Sequence, residues 1–149
     1  RSTFEEAFAK LEKGVASFAT SSGMAAIQLI CNLFKPGDEI LVAFDLYGGT
    51  FRLFDFYEQQ YGVKFIYVDF LDYEEVEKTI TPQTKALFIE PISNAQMIEI
   101  DIEPYYVLSK KHHLLTIIDN TFLTPYLSTP LEEGADIVLH SSDKVYRRP

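Results

Sequence analysis

A chain of 149 residues, 47% hydrophobic and 14% aromatic, carries enough apolar material for one substantial core and is short for two domains. Its 22 acidic against 13 basic residues leave a formal charge of −9, which argues against nucleic acid as a partner and for a small molecule or another protein. The single Cys31 rules out an intramolecular disulfide, no apolar run approaches the ~20 residues that span a bilayer, and no signal-peptide pattern opens the chain, so a cytoplasmic protein with no membrane partner is expected.

The hydrophobic period then switches repeatedly between helix and strand. Phe4, Ala7, Phe8 and Leu11 share one face, which predicts a helix from Phe4 to Lys13 that ends near Gly14. "VASFAT" reads as a short strand, and "SSGMAAIQLICNLF" as a helix whose serines cap its first turn. After the turn "KPGDE" comes a buried strand, "ILVAF", and then a helix, "GGTFRLFDFYEQQYG". "KFIYVDF" is a strand, "DYEEVEKTI" a helix and "KALFIE" a strand. "DIEPYYVLSKKHH" is helical, with Pro104 in the first turn, where its missing N–H costs little. "LLTIID" and "ADIVLH" supply two more strands. The alternation implies a three-layer α/β/α fold: strands near 40–44, 64–69, 85–90, 114–119 and 136–140 in one mostly parallel sheet, with helices on both faces.

In such sheets ligands sit outside the carboxyl ends of the strands. Those ends carry Ser21-Ser22-Gly23, Asp45 to Tyr47, Asp69, Glu90 and Asn94, Asp119-Asn120, and His140 to Lys144. Gly23 and Met24 open a helix whose amides and dipole suit an anion, or simply complete a serine-glycine cap. Asp119 closes an apolar run, so its carboxylate requires a cationic or hydrogen-bonding partner; a turn or N-cap aspartate is the plainer alternative. Lys144 alone reads as a solvated lysine. Opposite an anion cradle and a shielded carboxylate it suggests pyridoxal phosphate (PLP), which needs an amine for its aldehyde, a carboxylate for its pyridine nitrogen and an aromatic over its ring. Tyr47 is the candidate aromatic, unless it only packs under a loop.

"SSGMAAIQ", "DLYGGTFR", "EPISN", "DNTFLTPYLSTPLEEGADIVLHS" and the lysine that follows, in this order, resemble the Cys/Met-metabolism family of PLP enzymes, which includes cystathionine γ-synthase, cystathionine lyases and methionine γ-lyase. The resemblance runs across nearly the whole chain. It implies the large domain of fold-type I enzymes, a mixed seven-stranded sheet between helices. It makes Lys144 the cofactor-bearing and catalytic lysine, Asp119 the partner of the pyridine nitrogen and Tyr47 the ring-stacking residue, with Gly23, Met24 and Ser141 on the phosphate. Asn94 matches the family asparagine near the ring oxygen, and Arg52 an arginine on the substrate side. The implied activity is the making or breaking of C–S bonds in a small amino-acid substrate, by a homo-oligomer in the intact enzyme.

Several positions depart from the family pattern. Asp143 stands where a threonine usually precedes the lysine, exchanging a donor to the phosphate for a like charge. Such charges ~4 Å apart repel by about 1 kcal/mol in water and by several at lower dielectric. "VYRRP" replaces a glycine-rich continuation, and Pro91 and Ala95 alter the surroundings of Asn94. Residues 1–149 are therefore expected to be a partial large domain, without the N-terminal segment that completes a neighbouring subunit's site and without the small C-terminal domain. The alternative reading is a non-catalytic α/β piece or small binding module on the same sheet. Metal binding is not expected, because adjacent His112 and His113 point about 100° apart on a helix.

Overall fold

The computed structural model describes residues 1–92 and 97–141. Five strands, β1 (Glu39–Ala43), β2 (Lys64–Val68), β3 (Thr84–Ile89), β4 (Leu115–Asp119) and β5 (Ile137–Leu139), form one sheet in the order β2-β1-β3-β4-β5. Every pairing is parallel, with Val42 opposite both Tyr67 and Phe88, and Phe88 opposite Ile117. Parallel neighbours need crossovers. Helices α2 (Gly23–Cys31), α3 (Gly48–Tyr61), α4 (Tyr73–Thr79) and α5 (Glu103–His112) lie between or before the strands, and α1 (Ser2–Glu12) opens the chain.

The central strands are apolar on both faces because both are covered. Ile40 and Val42 of β1 join Phe65, Phe88 and Ile117 against Ile27 of α2 and Phe54 of α3. Leu41 and Ala43 face the other way, with Leu87, Ile89 and Ile118 against Val76 of α4 and Tyr105 and Leu108 of α5. Two cores on one sheet make the expected three layers. On the first face Phe54 stacks on Phe65 at 4.2 Å and meets Phe88 edge-on at 5.4 Å. On the second, the Tyr105 hydroxyl donates to the Phe70 carbonyl at 2.5 Å, and burial raises the pKa of that phenol.

Element ends follow local chemistry. Ser22 Oγ accepts from the Ala25 amide at 3.1 Å and caps α2, while Asp72 does the same for α4 through Glu75. Pro104 sits in the first turn of α5, and Gly62 ends α3 with a left-handed φ of 69°.

One expectation is corrected. "VASFAT" is extended but pairs with no strand: the Ala19 amide donates to Glu5 Oε1 at 2.8 Å and the Ser17 hydroxyl to the Glu5 carbonyl, so its polar groups are satisfied by α1. Accordingly, the described residues form one parallel sheet of the five strands expected near 40–44, 64–69, 85–90, 114–119 and 136–140, with no sixth from this segment. Helix α1 forms as expected. Phe4 and Leu11 are exposed, and the buried residue is Glu12. Two short helices, α6 (Thr124–Leu127) and α7 (Pro130–Glu133), each with a proline in its first two positions, fill the β4–β5 connection that the hydrophobic period left unassigned.

Candidate active site

The strand order reverses direction at the β1–β3 boundary, where successive crossovers diverge and leave a crevice at the carboxyl ends. A cleft of about 160 Å³ lies there, bounded by the start of α2 and by the segments after β1, β3, β4 and β5. Gly23, Met24, Tyr47, Asp119 and Ser141, five residues singled out from the sequence, all line it. They are separated by up to 118 positions in the chain (141 − 23) and meet only because the sheet is parallel and its loops share one end.

On one side, Ser22 takes one amide of α2, and the other first-turn amides have no acceptor within the helix. Gly23 and Ser141 are in close contact: a Cβ on Gly23 would stand 2.7 Å from Ser141 Oγ and 2.8 Å from its Cβ. Only glycine allows that approach, which sets a serine hydroxyl beside a positive helix end. Across the cleft Tyr47 ends the β1–α3 turn, with its ring against Gly49, where a Cβ would meet the ring at 2.7 Å and Met24 Sδ at 3.4 Å. Gly49 therefore makes room for an aromatic slab.

Asp119 ends β4 at the cleft. Its Oδ1 accepts from the Thr121 amide at 3.2 Å and from the Thr121 hydroxyl at 2.5 Å. It is thus both the turn aspartate and a cleft carboxylate, and the two sequence readings are not exclusive. Buried Glu90 and Thr50 and half-exposed Phe122 complete the wall.

Arg52 projects from α3 as an exposed residue and does not line the cleft. Asn94, Asp143 and Lys144 lie outside the described residues. His140, expected on the rim, turns away into a buried contact with Glu12 and packs against the Phe8 ring at 5.1 Å. Sequence reasoning missed Thr121, Gly49 and Thr50. For Thr121 a signal existed in "DNT", since a hydroxyl two residues after an aspartate is the spacing of an Asx turn.

The model of the Cys/Met metabolism PLP-dependent enzyme family matches residues 1–146. The chain belongs to this family. It is 54% identical over 144 residues to a cystathionine gamma-synthase/O-acetylhomoserine (thiol)-lyase of Bacillus subtilis, covering 97% of this chain and 39% of that protein. Among solved structures it resembles the cystathionine gamma-lyase of Lactobacillus plantarum complexed with L-serine, at 48% identity and a TM-score of 0.88 over 91% of this chain and 35% of that one. A putative O-acetylhomoserine (thiol)-lyase of Campylobacter jejuni, carrying N'-pyridoxyl-lysine-5'-monophosphate, superposes with a TM-score of 0.87 at 35% identity, over 94% of this chain and 35% of that one. The chain spans 35–39% of the length of these relatives. The family resemblance read from the sequence motifs is borne out, and so is the cofactor class that goes with it.

The donor set of this PLP-family cleft suits such a cofactor. It offers amides and a hydroxyl for an anion, a tyrosine ring backed by a bare glycine for a planar heterocycle, and a carboxylate for a ring nitrogen.

Proposed function

We propose that this chain is the cofactor-binding part of a PLP enzyme that makes or breaks C–S bonds in a small amino-acid substrate, of the cystathionine γ-synthase or γ/β-lyase type. The observation that carries this reading is the meeting of the α2 amino end, Tyr47, Asp119 and Ser141 in one cleft at the strand ends of a family member. When bound, PLP supplies an electron sink for charge next to the substrate's amino group.

Each residue then has a defined task. Gly23 and Met24 offer backbone amides, and Ser141 its hydroxyl, to the phosphate; as fixed donors they need no reorganisation to hold it. Tyr47, partly exposed in the cleft lining, would cover the ring and face the incoming substrate. Asp119 would keep a proton on the pyridine nitrogen. By the family resemblance Lys144 would bear the cofactor and move the proton at the substrate's α-carbon, Asn94 would serve the ring oxygen, and Arg52, exposed outside the cleft, would attract the substrate carboxylate. In this reading residues 1–149 make up part of a larger PLP-binding domain.

Self-association is part of the proposal, and exposed Phe44, Phe51, Tyr126 and Leu127 supply apolar surface for a second copy. No helix among the described residues is long and apolar enough to cross a membrane, and a cytoplasmic enzyme is the setting proposed.

The decisive experiment adds PLP to the purified chain, records the visible spectrum, reduces with borohydride and maps the labelled peptide. Label on Lys144 is expected, absent from Lys144→Ala. A colourless, unlabelled protein would favour a non-catalytic α/β domain instead.

A further inference from the structure

We infer that Thr121 is a positioning residue that ties the two ends of the proposed cofactor site together, joining the ring-nitrogen carboxylate to the phosphate-side serine. The inference rests on the PLP reading of the cleft for its functional meaning and on three hydrogen bonds for its geometry. The Thr121 hydroxyl donates to Asp119 Oδ1 at 2.5 Å, the Thr121 amide donates to the same oxygen at 3.2 Å, and the Ser141 amide donates to Thr121 Oγ1 at 3.0 Å.

The direction of each bond follows from chemistry. A backbone amide only donates, so the Thr121 oxygen must accept from Ser141. An ionised carboxylate only accepts, so the hydroxyl proton must point at Asp119. The result is a directed chain, Ser141 N–H to Thr121 O–H to Asp119, in which each bond polarises the next and the carboxylate's charge strengthens both. Thr121 is 4% exposed, so water is poorly placed to replace either partner.

The link also crosses between strands. Asp119 ends β4, whereas Ser141 follows β5, and the last register pair of the two strands is Asp119 with Leu139. Beyond that pair the Asn120 amide still bonds the Leu139 carbonyl at 3.0 Å, and Thr121 extends the connection to Ser141. Ser141 in turn abuts Gly23 at the start of α2. One hydroxyl therefore sets the spacing from Asp119 through Ser141 to the anion cradle, a span that a bound ring and its phosphate must match.

The test compares Thr121→Val, which keeps the shape and deletes the hydroxyl, with Thr121→Ser, which keeps the hydroxyl. Two quantities are read on the same proteins: amide hydrogen exchange at Ser141 without cofactor, and the dissociation constant for PLP. In Thr121→Val the Ser141 amide is expected to exchange at least tenfold faster and PLP to bind about five- to tenfold more weakly, the scale of one lost hydrogen bond, whereas Thr121→Ser stays within about twofold of the parent on both. Unchanged Ser141 exchange in Thr121→Val would overturn the inference. So would equal losses of affinity in the two variants, which would assign the role to the methyl group's packing. Failure of the parent protein to bind PLP would count against the cofactor reading alone, and the exchange rates would then decide the Thr121 link.

Discussion

Placing a methyl group on Gly23 sets the anion cradle against the residue it must approach. In Gly23→Ala the new Cβ would lie 2.7 Å from Ser141 Oγ and 2.8 Å from Ser141 Cβ, so rotating the hydroxyl away does not relieve the contact. Ordinary carbon–carbon contact requires a separation of roughly 3.5 Å, and Ser141 must retreat by more than half an ångström. That retreat pulls on the Ser141 amide, held at 3.0 Å by Thr121 Oγ1. Overpacking of this kind costs about 1–3 kcal/mol, and alanine in place of glycine in a helix returns up to about 1 kcal/mol. A net destabilisation of about 0–3 kcal/mol is therefore expected, together with weakened phosphate binding, because the proposed phosphate donors on α2 and Ser141 are forced apart. PLP should bind at least tenfold more weakly to Gly23→Ala. Urea denaturation of the cofactor-free protein measures the first quantity and spectrophotometric titration the second. A Gly23→Ala protein that binds PLP as tightly as the parent would refute the assignment of this approach to the phosphate.

Three further outcomes are expected. Phe54→Ala removes a ring that is 1% exposed and touches both Phe65 and Phe88; it should destabilise the chain by about 3–5 kcal/mol in urea denaturation, and a loss below about 1 kcal/mol would contradict the packing described. The Glu5 carboxyl is held below its usual 4.5 first by the Ala19 amide and then by Arg1, so the attachment of residues 17–19 to α1 is complete above that value and is lost as pH falls through the lowered one. An Ala19 amide shift that titrates with a midpoint above 4.5, or that titrates unchanged in Glu5→Gln, would reverse this assignment. Asp143→Thr removes a like charge and restores a donor, and is expected to tighten PLP binding by about 1–3 kcal/mol, roughly tenfold to a hundredfold. Equal affinities in parent and variant would show that Asp143 does not face the phosphate.

Much of the architecture was legible because it depends on local periodicity. Short, mostly apolar runs such as "ILVAF" and "LLTIID", bounded by turn residues and rich in β-branched side chains, suit a strand covered on both faces, and Ser22, Pro104 and Gly62 mark helix ends by conformational preferences that need no distant partner. The same logic located the cleft: a parallel sheet gathers its strand ends on one rim, so Tyr47, Asp119 and Ser141 were predictable neighbours.

What the sequence left open turns on partners supplied from far along the chain. "VASFAT" has strand composition, but a strand exists only if another pairs with it, and α1 takes its hydrogen bonds instead. Helix α1 has an apolar stripe, yet Glu12 is the residue it buries, because His140 is brought to it from the far end of the chain by β5. Thr121 looked like an ordinary loop residue until folding set the Ser141 amide within 3.0 Å of its hydroxyl. Sequence by itself determined most of the elements, their parallel stacking and the family, since those follow from nearest-neighbour preferences and ordered motifs. Tertiary structure alone decided which polar groups find each other across the sheet's rim, because a hydrogen bond depends on distances of tenths of an ångström between residues whose separation along the chain carries no information about them.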